Sequence, residues 1–329
     1  MAAECPDVEL VAVGASPGAR LPPGLTRGPA AASLPTNLGW AASGLPLSAR
    51  SLRADVFHAP AYTAPLWGVP PIVLTIHDVS YARRPEFYPH RIDPVRRAFY
   101  RASARRAERI VTDSAFSRDE IVAAYGIDPS RIDVVPLAAS AAFTPAEVAR
   151  EMFVLHVGDL HPRRNLSLLV DVVLELRNDL RWRALKLVLA GVDRGVLAAL
   201  QEKTAAAGAA EALEYVGQPD DVALAALYRR AAVFAYPSRY EGFGLPVLEA
   251  MATGAPVLTS NLSSLPEVAG DAALLVDPTR VDAIADGLRR LLESDTLREQ
   301  LRIAGPAQAA KFTWERTATL TRDAYQRIA

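Results

Sequence analysis

The run Ala231-Ala-Val-Phe-Ala-Tyr236 is short, apolar and β-prone, and it soon gives way to a helix opened by Leu245-Pro246 and closed by Gly254. Proline suits a first helical turn, where its missing N–H would be unpaired in any case, and glycine is a common helix stop. Between the two elements, Glu241-Gly-Phe-Gly-Leu245 carries two glycines that let the backbone turn sharply. A strand, a glycine loop and a helix in that order commit this part of the chain to α/β layering, and similar units recur along it. In the first half, strands are expected near 8–13, 55–58, 71–76, 109–112 and 132–136, with helices near 92–107 and 115–125. Segment 14–50 is rich in Pro, Gly, Ser and Ala, has no clean period, and reads as loop with short turns. In the second half, strands are expected near 153–157, 186–190, 213–216, 233–236, 256–259 and 273–276.

The seam between the halves falls near 138–150. This predicts two Rossmann-like doubly wound domains, 1–145 and 146–312, and a last helix in 313–329, which the resemblance given below implies crosses back to the first. A chain of 329 residues is long enough for two domains of ordinary size. Ligands of open parallel sheets bind beyond the carboxyl ends of the strands, so two such domains are expected to face one cleft. The formal net charge of -1 gives a nucleic-acid partner no global electrostatic support. The single cysteine, Cys5, excludes an internal disulfide framework; with no signal peptide or long apolar span read from the sequence, a cytoplasmic protein is expected. Nearly all positive charge is arginine, because the only lysines are Lys186, Lys203 and Lys311.

The residues Gly242, Phe243, Gly244 and Leu245 place backbone N–H groups at a helix N-terminus, where unpaired donors and the helix dipole favour an anion. Glu241 on that loop and Glu249, expected on the first helical turn, are carboxylates suited to accepting hydroxyl groups. Glycines and a proline alone are equally compatible with an ordinary βα turn. Arg163-Arg164-Asn165 follows Gly158 and reads as the start of a helix carrying two guanidinium groups; a solvated basic helix start is the plain alternative. His77-Asp78 ends the apolar run Ile72–Ile76 and should project at a sheet's carboxyl edge, where a satisfied structural histidine is the common case. His58 has a similar but weaker address, His156 reads as core, and His90 and His161 as surface or cleft edge. Asp220-Asp221 reads as a helix start, and no Cys/His cluster with metal-ligand spacing is present.

The run Glu241 to Glu249, with Ala255 to Pro278 after it, resembles the signature of family 4 retaining glycosyltransferases, whose fold is called GT-B. The likeness extends through Val157–Leu166 and Leu187–Gly191, and in the first half through Thr75–Ser80 and Asp113–Ser117, covering roughly residues 50–320. It is nearest in flavour to mannosyltransferase-like enzymes that build bacterial surface polysaccharides and lipid-linked glycans. The resemblance implies transfer of a hexose, mannose-like, from a nucleoside diphosphate sugar to a hydroxyl of a glycan or lipid-linked acceptor. The donor is expected to be a GDP or UDP conjugate, with no further cofactor and no metal.

By residue, the resemblance implies that His77 and Glu241 serve the reacting sugar and that Glu249 holds the ribose. It assigns the diphosphate to Arg163, Arg164 and the Gly242–Leu245 loop, with Asp78 and Asn165 in support. Arg164 stands where relatives usually carry Lys, which is not a like-for-like exchange, and Asp159 stands where many carry Arg. Relatives also open with a strand and a glycine loop, whereas Val8–Val13 resembles their second strand. The first βα unit is therefore expected to be missing, read as a start codon placed too late, with a real truncation as the alternative. A sugar-nucleotide-binding protein without turnover, or an epimerase or phosphorylase relative, remains the alternative. Finally, Arg97, Arg101 and Arg105 in 90–109 recur at helical spacing with Phe99, a basic stripe that suits a solvated face or peripheral contact with anionic lipid at the inner face of the plasma membrane.

Overall fold

The apolar runs become parallel strands buried on both faces, as crossover helices require. The computed structural model describes residues 7–14, 18–29, 43–88 and 93–329. Cys5, His90, residues 15–17 and the first residues of the 90–109 stretch lie outside the described residues. The chain forms two units, residues 1–137 with 314–329, and residues 138–313.

In the first unit, β3 (Phe57–Ala59), β4 (Ile72–Thr75), β5 (Arg109–Thr112) and β6 (Ile132–Val134) form a parallel sheet in that order. Of segment 14–50, residues 15–17 and 30–42 lie outside the described residues, and the remainder holds two short elements. It contains β2 (Leu25–Arg27), which pairs in parallel with β1 (Leu10–Ala12) in a separate two-stranded sheet, and the short helix α1 (Leu45–Arg50). Three-residue strands and a helix of under two turns are too brief to impose a period on sequence. Three more helices follow in this unit, α2 (Ser80–Arg83), α3 (Pro94–Arg106) and α4 (Ala115–Tyr125). Asp93 caps α3 through the amides of Val95 and Arg96, Ser114 caps α4, and Gly126 ends α4 in the left-handed region.

The second unit holds β7 (Glu151–Val157), β8 (Lys186–Ala190), β9 (Leu213–Tyr215), β10 (Ala231–Tyr236), β11 (Val257–Ser260) and β12 (Leu274–Val276). Their order, β12-β11-β10-β7-β8-β9, is all parallel and reverses direction between β7 and β10. Around them run α5 (Leu166–Leu176), α6 (Leu197–Ala206), α7 (Asp221–Arg230), α8 (Leu245–Ala252), α9 (Leu265–Ala269), α10 (Val281–Glu293) and α11 (Asp295–Ala309). Leu169, Val173, Leu189, Val233, Ile284 and Leu288 are among the core side chains of this layer. Asp220 caps α7 through the Ala223 amide, the role expected of it.

The final helix, α12 (Trp314–Gln326), belongs to the first unit. Ala324 packs with Val73, Val111 and Val135 of that unit's sheet, and the Thr317 hydroxyl donates to the Pro136 carbonyl at 2.6 Å. His58 joins sheet to helix, with Nδ1 2.6 Å from the Tyr325 hydroxyl and Nε2 2.8 Å from Thr75 Oγ1. Burial pushes its imidazole down to about 4, so it serves as a neutral connector. None of the described helices is long and apolar enough to cross a membrane.

One backbone contact fixes how closely β7 and β8 end together. Gly191, just past β8, has φ +138°, and a Cβ there would lie 2.0 Å from the Gly158 carbonyl oxygen. Gly191→Ala should therefore destabilise the chain by about 2 kcal/mol or more, through both strain and overpacking. Thermal unfolding of wild type and variant would check this; an unchanged midpoint would remove the steric argument.

Candidate active site

In a doubly wound sheet, the crevice opens where strand order reverses, at the carboxyl ends of the strands on either side. In the second unit those are β7 and β10, and the loops that leave them carry Arg163 and Arg164 on one side and Glu241 on the other. Pro162 begins a single 3-10 turn, Pro162–Arg164, and Asn165 then adopts φ +63° as the cap before α5. The arginines thus precede the helix instead of opening it, because the left-handed residue separates the turn from Leu166. Asn165 Nδ2 donates to the Pro278 carbonyl at 2.7 Å, tying this loop to the one after β12.

Arg164 Nη1 donates to Glu241 Oε1, although the two residues are only 7% and 4% exposed. Ser238 Oγ donates to the same oxygen at 2.5 Å, while Arg163 Nη2 stands 3.8 Å from Oε2. Burial works against the Glu241 charge, but Arg164, Arg163 and Ser238 hold its carboxyl below the usual range. Beneath the pair, the Arg164 guanidinium lies 4.8 Å from the centroid of the Tyr236 ring, a cation–π contact, and Tyr236 stacks on His156 with ring centroids 5.2 Å apart. His156 is fully buried, its Nδ1 3.0 Å from the Ala235 carbonyl oxygen; burial, with the Arg164 charge, drives its imidazole down to about 3. Arg164 Nε, the Tyr236 hydroxyl and His156 Nε2 are buried without a partner among the described residues.

The glycine loop is held from β11's side. The Glu241 amide donates to Ser263 Oγ at 3.1 Å, and Ser264 Oγ donates to the carbonyls of Glu241 and Phe243. Gly244 has φ +111° as the cap of α8, and no side chain caps that helix. Among the described residues, the amides of Phe243, Gly244 and Leu245 have no hydrogen-bond acceptor. These donors and the helix dipole give the start of α8 a chemistry suited to an anion.

Glu249 is the fifth residue of α8, so it lies on the second turn and not the first. Its Oε2 accepts from the Tyr228 hydroxyl at 2.9 Å. Burial pushes its carboxyl up to about 7, with Asp221 adding and Tyr228 opposing.

In the first unit, His77 lies just past β4, its side chain 41% exposed, and Nδ1 is 2.9 Å and 3.2 Å from the two carboxylate oxygens of buried Asp113. That hydrogen bond raises the imidazole above its ordinary value against the cost of burial. Asp78 has a local task, accepting from the amide and hydroxyl of Ser80 at 2.9 Å and 2.7 Å where α2 begins. The sequence reading assigned no role to Ser238, Ser263, Ser264, Tyr236, Tyr228 or Asp113. The serines do lie in or beside the quoted runs, but nothing in their spacing announces a partner more than twenty positions away.

The description "Glycosyl transferases group 1" matches residues 142–308, and "Glycosyltransferase Family 4" matches residues 2–141. An O-antigen chain mannosyltransferase B from Escherichia coli is 36% identical over 293 residues, 84% of this chain and 75% of that one. A serotype-specific mannosyltransferase from Escherichia coli is 29% identical over 291 residues, 82% of this chain but only 36% of the other. Among solved structures, a sucrose-phosphate synthase from Thermosynechococcus elongatus matches with a TM-score of 0.80 at 19% identity, over 99% of this chain and 90% of that one, a likeness of fold. With two parallel-sheet units, a glycine loop at the strand-order reversal, and matches along both units, this chain belongs to the group 1 glycosyltransferases, enzymes of the GT-B fold.

Proposed function

We propose that this glycosyltransferase moves a hexose, with mannose the favoured sugar, from a GDP or UDP conjugate to a hydroxyl of a glycan or lipid-linked acceptor, retaining the anomeric configuration. The observation that carries the reading is the anion site of Arg164 and the unpartnered amides of Phe243, Gly244 and Leu245, beside the carboxylate of Glu241. The likeness to the O-antigen chain mannosyltransferase supports the choice of sugar and of a polysaccharide acceptor.

In the reaction, the bond from the anomeric carbon to the β-phosphate oxygen breaks and its electron pair leaves with the nucleoside diphosphate. The acceptor oxygen bonds to that carbon, and the acceptor proton is released. The difficulty is the charge gathering on the departing diphosphate. A prearranged donor at such a position is worth roughly 2.7–4 kcal/mol of barrier, and Arg164 with the loop amides supplies several without reorganisation. Glu241 keeps Oε2 for sugar hydroxyls, its other oxygen being taken by Arg164 and Ser238. Glu249 accepts from the ribose, and His77 offers a hydrogen bond to the reacting substrate.

A thermal-shift panel of GDP, UDP, ADP and TDP with their common sugar conjugates tests the donor assignment. Glu249→Ala should abolish the shift that one nucleotide gives to wild type; equal affinity in both would refute the ribose role. Arg164→Ala should weaken donor binding at least tenfold, but it also strands the buried Glu241 charge at a cost of about 3–5 kcal/mol. Arg164→Lys is therefore the companion variant, expected to fold and to bind the donor less tightly because it loses the planar fork and the stack on Tyr236. Glu241→Gln should lower turnover at least tenfold while leaving nucleotide affinity within a few-fold.

The raised Glu249 carboxyl gives donor binding a pH dependence. A ribose diol bonds best to the carboxylate, so affinity should rise from about pH 6 to about pH 8 by up to tenfold and release a proton on binding. Calorimetry in buffers of different ionisation enthalpy would measure that proton, and Glu249→Gln should abolish it. For folding, the sign is opposite. A carboxyl held above its ordinary value binds its proton more tightly in the folded chain, so its contribution to stability falls as pH rises through about 7.

Membrane contact is the narrower part of the reading. On α3, Val95, Arg96, Arg101 and Arg105 are exposed, whereas Arg97 turns inward to donate to the Tyr81 carbonyl. Anionic vesicles should retain the protein at low salt, and an Arg101→Glu/Arg105→Glu double variant should elute; equal elution of both would remove this contact.

A further inference from the structure

The state of the His77 ring depends on what packs behind it. Behind it, Asp113 is 4% exposed, between the end of β5 and the Ser114 cap of α4. Both carboxylate oxygens face His77 Nδ1, at 2.9 Å and 3.2 Å. A second tie comes from the same helix, where Ser117 Oγ donates to the His77 carbonyl at 3.0 Å. With Nδ1 engaged, the ring can present only Nε2 to a ligand, and the imidazole is the exposed member of the pair.

We propose that Asp113 is a positioning residue for the transfer reaction: it fixes the His77 ring and holds it as an imidazolium, so that Nε2–H is a charged donor to the substrate oxygen that gains negative charge. This rests on the functional reading given above, in which His77 touches substrate.

The charges around the ring favour that state. Asp113 faces it from β5 and α4, Asp78 from its own strand end, and the Tyr62 ring stands edge-on at 6.2 Å. The other imidazole in reach, His58 on β3, is held neutral and so does not compete for the charge. The N-terminus of α4, directly after Asp113, favours a carboxylate there despite its burial. Tyr62 itself sits at φ +53°, an uncommon backbone for tyrosine, with its amide donating to the Thr75 carbonyl at 3.0 Å.

This arrangement predicts the opposite pH behaviour from a general base. A charged donor is lost as pH rises through the His77 value, so kcat/KM should fall about tenfold per pH unit on the alkaline side. An imidazole acting as base would gain activity over the same range. Linkage has the same sign, since the raised His77 value stabilises the fold below the ordinary histidine value and loses that contribution as pH rises through the folded one.

Asp113→Asn keeps an acceptor for Nδ1–H and removes the charge. The test is a ring-nitrogen NMR titration of the full chain, whose five histidines make assignment by His77→Gln direct, alongside the pH profile of GDP release from GDP-mannose in the presence of acceptor. In Asp113→Asn the His77 titration should move down by about one unit, the alkaline limb should move with it, and donor KM should change less than kcat. Asp113→Glu, which restores the charge, should recover part of the shift. Circular dichroism and the melting midpoint show whether each variant folds. An unmoved His77 titration in folded Asp113→Asn, or activity that rises with pH, would overturn the proposal. Wild-type turnover in folded His77→Gln would overturn the substrate role of His77 and with it this proposal, failure of the wild type to release GDP from any nucleotide sugar would overturn the functional reading, and the titration separately decides the pairing.

Discussion

The contact between Arg164 and Glu241 is the constraint that the second unit is arranged around. Two opposite charges taken out of water gain from each other only if their geometry is fixed and their remaining polar capacity is met, and removing either leaves an expensive orphan. Here the fixing is done by neighbours on strand β10 and on the loops after β10 and β11. Ser238 shares the Glu241 carboxylate and bonds the Arg163 carbonyl, Ser263 and Ser264 pin the glycine loop, and Tyr236 provides a flat seat for the guanidinium. The strands beneath are mostly apolar, and the side chains of His156 and Tyr236 are the polar groups they set below the pair. What looks like a ligand site is also the structural junction of β7, β10 and β11.

The two units use the same sheet-edge address for different electrostatics. In the second, buried histidine is denied its proton: His156 lies under an arginine and stays neutral. In the first, His58 is likewise neutral, tied between a strand and the last helix, while His77 is the histidine whose surroundings favour charge. The difference comes from one buried carboxylate within hydrogen-bonding distance, a local cause that overrides burial.

The alternation of apolar runs and helical stretches was readable because parallel strands buried on both faces must be nearly continuous in Val, Leu, Ile and Ala. β5, β8 and α4 lie at the expected residues. Segment 14–50 was misread as loop because β2 and α1 are too short to express a period. Glu249 was placed a turn early because the helix starts at Leu245, under a left-handed glycine, and counting from the proline hides that offset. The glycine loop and the arginines were legible from local chemistry. Asp113, Ser238 and Tyr236 were not, since their roles arise only when distant strands come side by side, as with Arg164 and Glu241, 77 positions apart.

The close approach of Gly158 and Gly191 has a meaning for assembly as well as for shape. Past their exposed first residues, β7 and β8 are buried and, His156 apart, apolar, so side-chain patterning alone discriminates poorly between neighbouring registers. At their ends, however, the native register of Val157 opposite Ala190 brings glycine against glycine, with room for neither a methyl group nor anything larger. A slip of one residue would bring Ala190 or Val192 into a space that excludes their Cβ atoms. The missing side chain of Gly191 thus acts as a gauge that admits one alignment of the strands.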